Sequence, residues 1–247
     1  MSSFAAETIT HIGNFPITNT FTHMIVVDAI LIGSALYIKN NIAIKPKFFQ
    51  NAIEMIIEPF YSLADSINHK NVQIIFPYFM SFFLFIAIAN LTGLLPGFGS
   101  IGFQEKKSFI PLFRGLTSDL NVTLALGLIS VVATHMLSIK ITGIKDYISR
   151  FISFNPIFLF VGILEITAEI TKIISLSFRL FGNIFAGEVA LNTISKLFAF
   201  ILPVPFIFLE IIIGIVQALV FSMLTLVFMS IFTTLHHHEE VKEVNHS

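Results

Sequence analysis

Apolar residues run almost unbroken through several stretches of this chain instead of alternating with polar ones. Val72–Leu95 and Leu120–Ile139 each reach the ~20 mostly apolar residues needed to cross a hydrocarbon core ~30 Å thick. Such a segment spans lipid only as a helix or as a strand of a closed barrel. Barrel strands alternate with period two, whereas these runs of Ile, Leu and Phe do not, so the pattern predicts helices. Spans are expected at about His23–Ile38, Val72–Leu95, Leu120–Ile139, Asn155 to about Phe200, and Pro203–Leu235. The fold class is all-α, a polytopic membrane protein of about five to six helices.

Two segments depart from simple spanning. Residues Pro46–Asn68 are amphipathic, with Phe49, Ile53, Ile56, Ile57 and Phe60 at helical spacing and Gln50, Glu54 and Glu58 on another face, which predicts an interfacial helix within 46–70. The stretch from Asn155 to Phe200 would measure ~69 Å as one helix at 1.5 Å per residue, more than twice the hydrocarbon thickness. It is expected to be strongly tilted, bent or broken, with Gly182 and Gly187 as the places to bend. No internal repeat is visible. Residues 1–247 read as a single membrane domain, with an N-terminal segment 1–22 outside and a polar tail 236–247.

Composition agrees with the pattern. The chain is 55% hydrophobic and 12% charged, with a mean hydropathy of +0.87, whereas soluble proteins carry about 25% charged residues. A net charge of −1 without a basic cluster sets nucleic acid aside. The absence of cysteine excludes disulfides, thiolate metal sites and iron–sulfur ligation. The first 22 residues hold no Lys or Arg, so no signal-peptide pattern and no cleaved leader are expected. Lys39, Lys45, Lys47 and Lys70 between the first two spans, and Lys140, Lys145 and Arg150 after the third, place those loops inside and the N-terminus outside. Lys106, Lys107 and Arg114 run against that orientation.

The chemistry concentrates in Glu165–Glu188, apolar enough to lie in the membrane yet carrying Glu165, Glu169, Lys172, Arg179, Asn183 and Glu188. A charge at the centre of a span costs ~2.5–3.5 kcal/mol on an insertion scale, so such residues face a bundle interior, a partner or a water-filled cavity. At 100° per residue from Glu165, Glu169 lies near ~40°, Lys172 near ~−20°, Arg179 near ~−40° and Asn183 near ~0°, one shared stripe. Glu188 falls near ~140°, off the stripe, and is expected to serve a different compartment. In the last span Glu210 and Gln217 share a face with Gly214 between them. Two carboxylates on neighbouring segments, Glu188 and Glu210, suit the passing of protons. An arginine, which keeps its charge, would act beside them as a fixed positive gate.

The decapeptide Arg179-Leu180-Phe181-Gly182-Asn183-Ile184-Phe185-Ala186-Gly187-Glu188 resembles the signature of ATP synthase subunit a. Asn90-Leu91-Thr92-Gly93-Leu94-Leu95-Pro96, Ser118-Asp119-Leu120-Asn121-Val122-Thr123-Leu124, and Pro46 with Gln50 and Glu54 are similar to further stretches of that family, as is the acidic Glu165. The resemblance runs from about residue 45 onward. It implies a non-catalytic stator subunit of an F-type ATP synthase, without cofactor or metal. Its partners would be the rotating c-ring, the peripheral-stalk b subunits and membrane lipid. It further implies that Arg179 faces the ring's essential carboxylate with Gln217 beside it. Asn183, Glu188, Glu210 and Asp119 would line an outer half-channel, and Glu165 would lie on the inner one. Residues 155–235 would form a slanted, proton-translocating helical hairpin, and the location would be a bacterial inner membrane, with an organelle inner membrane as the alternative. Many bacterial members carry histidine where this chain has Glu210. Two close carboxylates do not readily both ionise.

Plainer readings stand beside these. Arg179 could snorkel at a helix end or pair with Glu165 or Glu169, and Lys172 has Glu169 at i−3 as a structural partner. Asp119 suits helix capping as well as channel lining. His135, the one histidine in mid-span, reads as a hydrogen-bonded core residue, and His236–His238 as a solvated tail. Asn90 and Asn121 read as interhelical glue. A stand-alone channel or transporter would want broken helices or polar rings. A haem or quinone oxidoreductase would want histidines paired across helices.

Overall fold

The computed structural model describes residues 7–13, 15–43, 48–95, 98, 101–105, 108–151, 156–197 and 203–234. Pro46, Lys106, Lys107, Asn155 and the tail 236–247 lie outside the described residues.

Seven α-helices appear among the described residues: α1 (Asn19–Asn41), α2 (Phe48–Ile67), α3 (Val72–Gly93), α4 (Leu120–Thr142), α5 (Ile144–Phe151), α6 (Pro156–Leu197) and α7 (Pro203–Thr233). Of these, α1, α3, α4 and α7 are long and apolar enough to cross a membrane. Local chemistry sets several boundaries. Thr18 caps α1 by accepting from the Phe21 amide at 3.3 Å. Asp119 caps α4 by accepting from the Asn121 amide at 2.9 Å, satisfying a donor left over at the helix start. Gly143, at φ 89°, ends α4 in a conformation that L side chains rarely adopt.

Two short antiparallel hairpins were not expected from the pattern. Strands β1 (Thr8–Ile12) and β2 (Phe15–Thr18) turn at Gly13, with φ 63°, and lead directly into α1. Strands β3 (Gly102–Glu105) and β4 (Ser108–Pro111) pair in the connection between α3 and α4.

Of the tilt, bend or break expected for this stretch, the break is absent: α6 runs unbroken for 42 residues through Gly182 and Gly187. A glycine inside a helix costs only about 1 kcal/mol. Opening the helix would strand backbone groups that hydrocarbon cannot satisfy, at several kcal/mol each.

The core lies between α3 and α7, with α2, α4 and α6 around it. Phe82 meets Phe221 with ring centroids 5.6 Å apart, and Ile75, Phe79, Ile86, Leu226 and Met229 are almost fully buried with them. Helix α2 packs through Ile57, Phe60, Ala64 and Ile67, with Phe60 4.7 Å from Phe83. Ile56, placed on that apolar face by the periodicity, is instead exposed.

Hydroxyls and amides bridge the helices where the apolar packing is tight, as is common between membrane helices. Ser130 and Thr225 join α4 to α7 at 2.8 Å, and Ser138 donates to the Phe232 carbonyl at 2.7 Å. Ser177 donates to the Thr123 carbonyl at 2.9 Å, joining α6 to α4. Gly127 makes that last contact possible, since a methyl group there would stand 2.5 Å from Ser177 Oγ. His23, fully buried, ties α1 to the rest: Nδ1 donates to the Arg114 carbonyl at 2.7 Å, and Nε2 lies 2.8 Å from Thr92 Oγ1.

Candidate functional site

Three polar groupings follow one another along α6. The first is a cavity of about 400 Å³ whose walls include Glu188 of α6, Glu210 of α7, Asn90 of α3, and Glu7, Arg114 and Thr117. Glu210 is 5% exposed and reaches α6 at Gly187, where a methyl group would stand 2.5 Å from Glu210 Oε1. Only glycine leaves room for that carboxylate. Asn90 donates to the Gly214 carbonyl at 2.9 Å and accepts from the Thr117 hydroxyl at 2.5 Å, closing the wall between α3, α7 and the turn Leu116–Ser118.

The Oε2 atoms of Glu7, Glu188 and Glu210 are buried without a hydrogen-bond partner among the described residues. Buried oxygens of this kind are ordinarily satisfied by water, and a cavity of this size has room for several waters.

The second grouping surrounds Arg179. Its side chain is exposed, and its guanidinium donates a long 3.4 Å hydrogen bond to Ser175 Oγ. One turn on, Asn183 donates to Gln217 Oε1 at 2.9 Å, holding α6 against α7. Gln217 is thus brought to Asn183. Around the arginine, Ala168, Thr171, Ser175, Gly182 and Ala186 are all exposed and all small, and they recur at the three- and four-residue steps that define one helix face.

The third grouping lies toward the start of α6. Lys172 Nζ stands 2.5 Å from Glu169 Oε1 and 3.8 Å above the Phe228 ring of α7, while Glu169 Oε2 stands 3.5 Å from His135 Nε2 of α4. The pairing of Lys172 with Glu169 follows the i, i+3 spacing. Glu165, half-buried one turn earlier, acts through space on the same ammonium.

The residues singled out by sequence are therefore not one constellation. Glu188 and Glu210 share the cavity, Arg179, Asn183 and Gln217 form the middle grouping, and Glu165 belongs with the third. Asp119 is half-buried at the α4 cap, and neither it nor Asn183 is among the cavity's lining residues. The single polar stripe divides in two, because Glu169 and Lys172 are covered by neighbouring helices whereas Arg179 and Asn183 are exposed.

Sequence reasoning passed over Glu7, Arg114 and Thr117 as cavity residues. The one available signal was Arg114, a cation that fitted no loop assignment.

Fold and site together define a multi-pass helical membrane protein with ionisable side chains drawn inward from several helices. Residues 20–230 match the family model described as ATP synthase A chain, and the chain belongs to that family. It is similar to the ATP synthase subunit a of Moorella thermoacetica, 29% identical over 228 residues that cover 92% of this chain and 96% of that one. The subunit a of Syntrophobacter fumaroxidans is 33% identical over 220 residues, covering 87% and 84%. That of Aliarcobacter butzleri is 31% identical over 220 residues, covering 88% and 90%. The chain accordingly ranks among membrane components of ATP synthases.

Proposed function

We propose that this chain is the stationary proton-conducting subunit of an F-type ATP synthase, turning proton flow into rotation of a c-ring without itself making a bond in ATP. One observation carries the reading: an arginine is exposed on an otherwise small-residue face of a long apolar helix. At membrane depth a bare guanidinium is costly, so that face calls for a partner bearing a carboxylate. The small neighbours Ala168, Thr171, Ser175, Gly182 and Ala186 let a partner helix approach closely.

The polar groupings on either side of Arg179 suit two half-channels. Glu188 lies nine residues beyond it, ~13 Å along the axis, and Glu165 fourteen residues before it, ~21 Å the other way. In this reading Glu188 and Glu210 carry protons through the outer half-channel. Asn183 and Gln217 brace the gate, Asp119 fixes the start of α4 at the outer side, and Glu165 serves the inner half-channel. Arg179, which cannot lose its proton, holds the ring carboxylate ionised as it passes and prevents direct leakage between the two routes. The ~63 Å of α6 would follow the ring's surface as the inclined arm of a hairpin with α7. The b subunits of the peripheral stalk would hold the subunit still, and the complex would sit in a bacterial inner membrane.

Affinity purification of the tagged chain in mild detergent tests this. A c-ring and the soluble ATPase head should come with it, and recovery of the chain as a stand-alone oligomer would contradict the reading.

A further inference from the structure

Glu188 and Glu210 have tasks in the proposed mechanism, but Glu7, a third carboxylate lining the same cavity, has none. We propose that Glu7 is the entry residue of the outer half-channel, taking protons from the outer water and handing them through cavity water to Glu188 or Glu210. The N-terminal hairpin is the fixture that holds it at the mouth. The proposal rests on the half-channel reading and extends it to a residue which that reading does not use.

Both hairpins border this cavity: Glu7 immediately precedes β1, and Pro111, the last residue of β4, also lines it. Two-stranded sheets have open edges whose backbone groups need water, and such edges do not occur against hydrocarbon. The end of the cavity that the hairpins bound therefore lies at the aqueous side, where Thr8, Thr10 and His11 of β1 are exposed. It is the side on which the lysine distribution puts the N-terminus. Glu210 marks the enclosed part of the cavity, at 5% exposed. Glu7 has a foot in both settings, since the residue is half-buried while its Oε2 is enclosed without a hydrogen-bond partner among the described residues.

What fixes Glu7 in place is its backbone. Its amide donates to Asn19 Oδ1 at 3.3 Å, and its carbonyl accepts from the Asn19 amide at 3.1 Å. Asn19, 1% exposed, opens α1 and lines the cavity as well. The turn at Gly13 runs β1 back along β2 to that point. The carboxylate takes no part in this hold, so its placement at the mouth calls for another use.

In transport, a hydronium ion on the outer side gives its proton to the Glu7 carboxylate and leaves as water. The carboxylic acid then releases that proton through cavity water to Glu188 or Glu210, and Glu7 is a carboxylate again. One proton enters and one moves on, so the residue ends each passage in the state in which it began.

The test compares Glu7→Gln, Glu7→Asp and Glu188→Gln in the intact complex, reading proton-driven ATP synthesis in membrane vesicles and the melting temperature of the solubilised complex. Glu7→Gln keeps the size of the side chain and the backbone bonds to Asn19 but cannot take up a proton. Synthesis should fall several-fold at an unchanged melting temperature, and Glu7→Asp, still an acid, should recover most of the rate. Wild-type synthesis by Glu7→Gln overturns the proposal. So does Glu7→Asp slowed as much as Glu7→Gln, which would make the shape of the side chain the requirement and not its proton. Should Glu7→Gln fail to assemble, Glu7→Cys decides, because the chain has no cysteine of its own. A membrane-impermeant thiol reagent applied to the outer face should label this variant chain, and absence of labelling from that face overturns the proposal. Wild-type synthesis by Glu188→Gln would instead strike at the half-channel reading.

Discussion

Asn183 donates a 2.9 Å hydrogen bond to Gln217 Oε1, and this contact pins α6 to α7 one helical turn beyond Arg179. Gln217 is 5% exposed, and its Nε2 has no hydrogen-bond partner among the described residues. Asn183→Leu would leave both ends of a buried amide unsatisfied, at a cost of about 1–3 kcal/mol. A fall in the melting temperature of the detergent-solubilised complex is expected. Asn183→Leu combined with Gln217→Leu should recover much of it, since replacing both partners by apolar groups is close to neutral. A double variant as unstable as the sum of the singles would mean that the two amides do not act as a pair.

Gly187 and Gly182 should respond oppositely to a methyl group. At Gly187 it would stand 2.5 Å from Glu210 Oε1 and 3.3 Å from its Cγ, so Gly187→Ala displaces the carboxyl from α6 and should slow proton transport in vesicles. At Gly182 nothing lies within 4 Å, so Gly182→Ala should keep or slightly raise the chain's own stability, by about 0.5–1 kcal/mol at most. Gly182→Leu, which puts bulk into the small-residue face, should fold normally yet lose most coupled ATP synthesis. Wild-type synthesis by Gly182→Leu would argue that no partner approaches that face.

The close approach of α4 and α6 gives a purely structural test. Gly127→Ala drives a methyl group to 2.5 Å from Ser177 Oγ and 3.2 Å from the Ile173 carbonyl. The hydroxyl can rotate but the backbone oxygen cannot, so an overpacking cost of about 1–3 kcal/mol is expected, read as earlier thermal unfolding.

The fold was legible where composition and length act alone. Helix α3 occupies Val72–Gly93 against an expected Val72–Leu95, and α4 begins at Leu120 because Asp119 caps it. The hairpins β1–β2 and β3–β4 were not legible, because strands of four or five residues leave too few positions to show a period. The eight-residue α5 escaped for a similar reason, its Lys145 and Arg150 reading as a basic loop. In the candidate site, the local spacing placed Glu165 through Asn183 on one stripe but could not say what covers each half. That depends on α4 and α7, contributed by distant parts of the chain. Glu7 reaches the cavity with Glu188 and Glu210 through a fold-back of the N-terminal hairpin that no local pattern encodes.

Glu188 and Glu210 line one cavity, each with a buried oxygen that lacks a protein partner among the described residues. Glu188→Gln and Glu210→Gln should each slow proton transport. Residues that share a path lose function non-additively, so the double variant should be less impaired than the product of the two single losses. Fully independent effects would show that the carboxylates serve separate routes.

In the proposed mechanism Arg179, exposed on a face otherwise built of small residues, meets a carboxylate of another polypeptide and keeps two proton routes apart. Proton-driven ATP synthesis by Arg179→Ala in membrane vesicles, measured together with passive proton leak, tests it most directly. The variant complex is expected to assemble, to make no ATP from a proton gradient, and to let protons through without turnover. Coupled synthesis at the wild-type rate would contradict it.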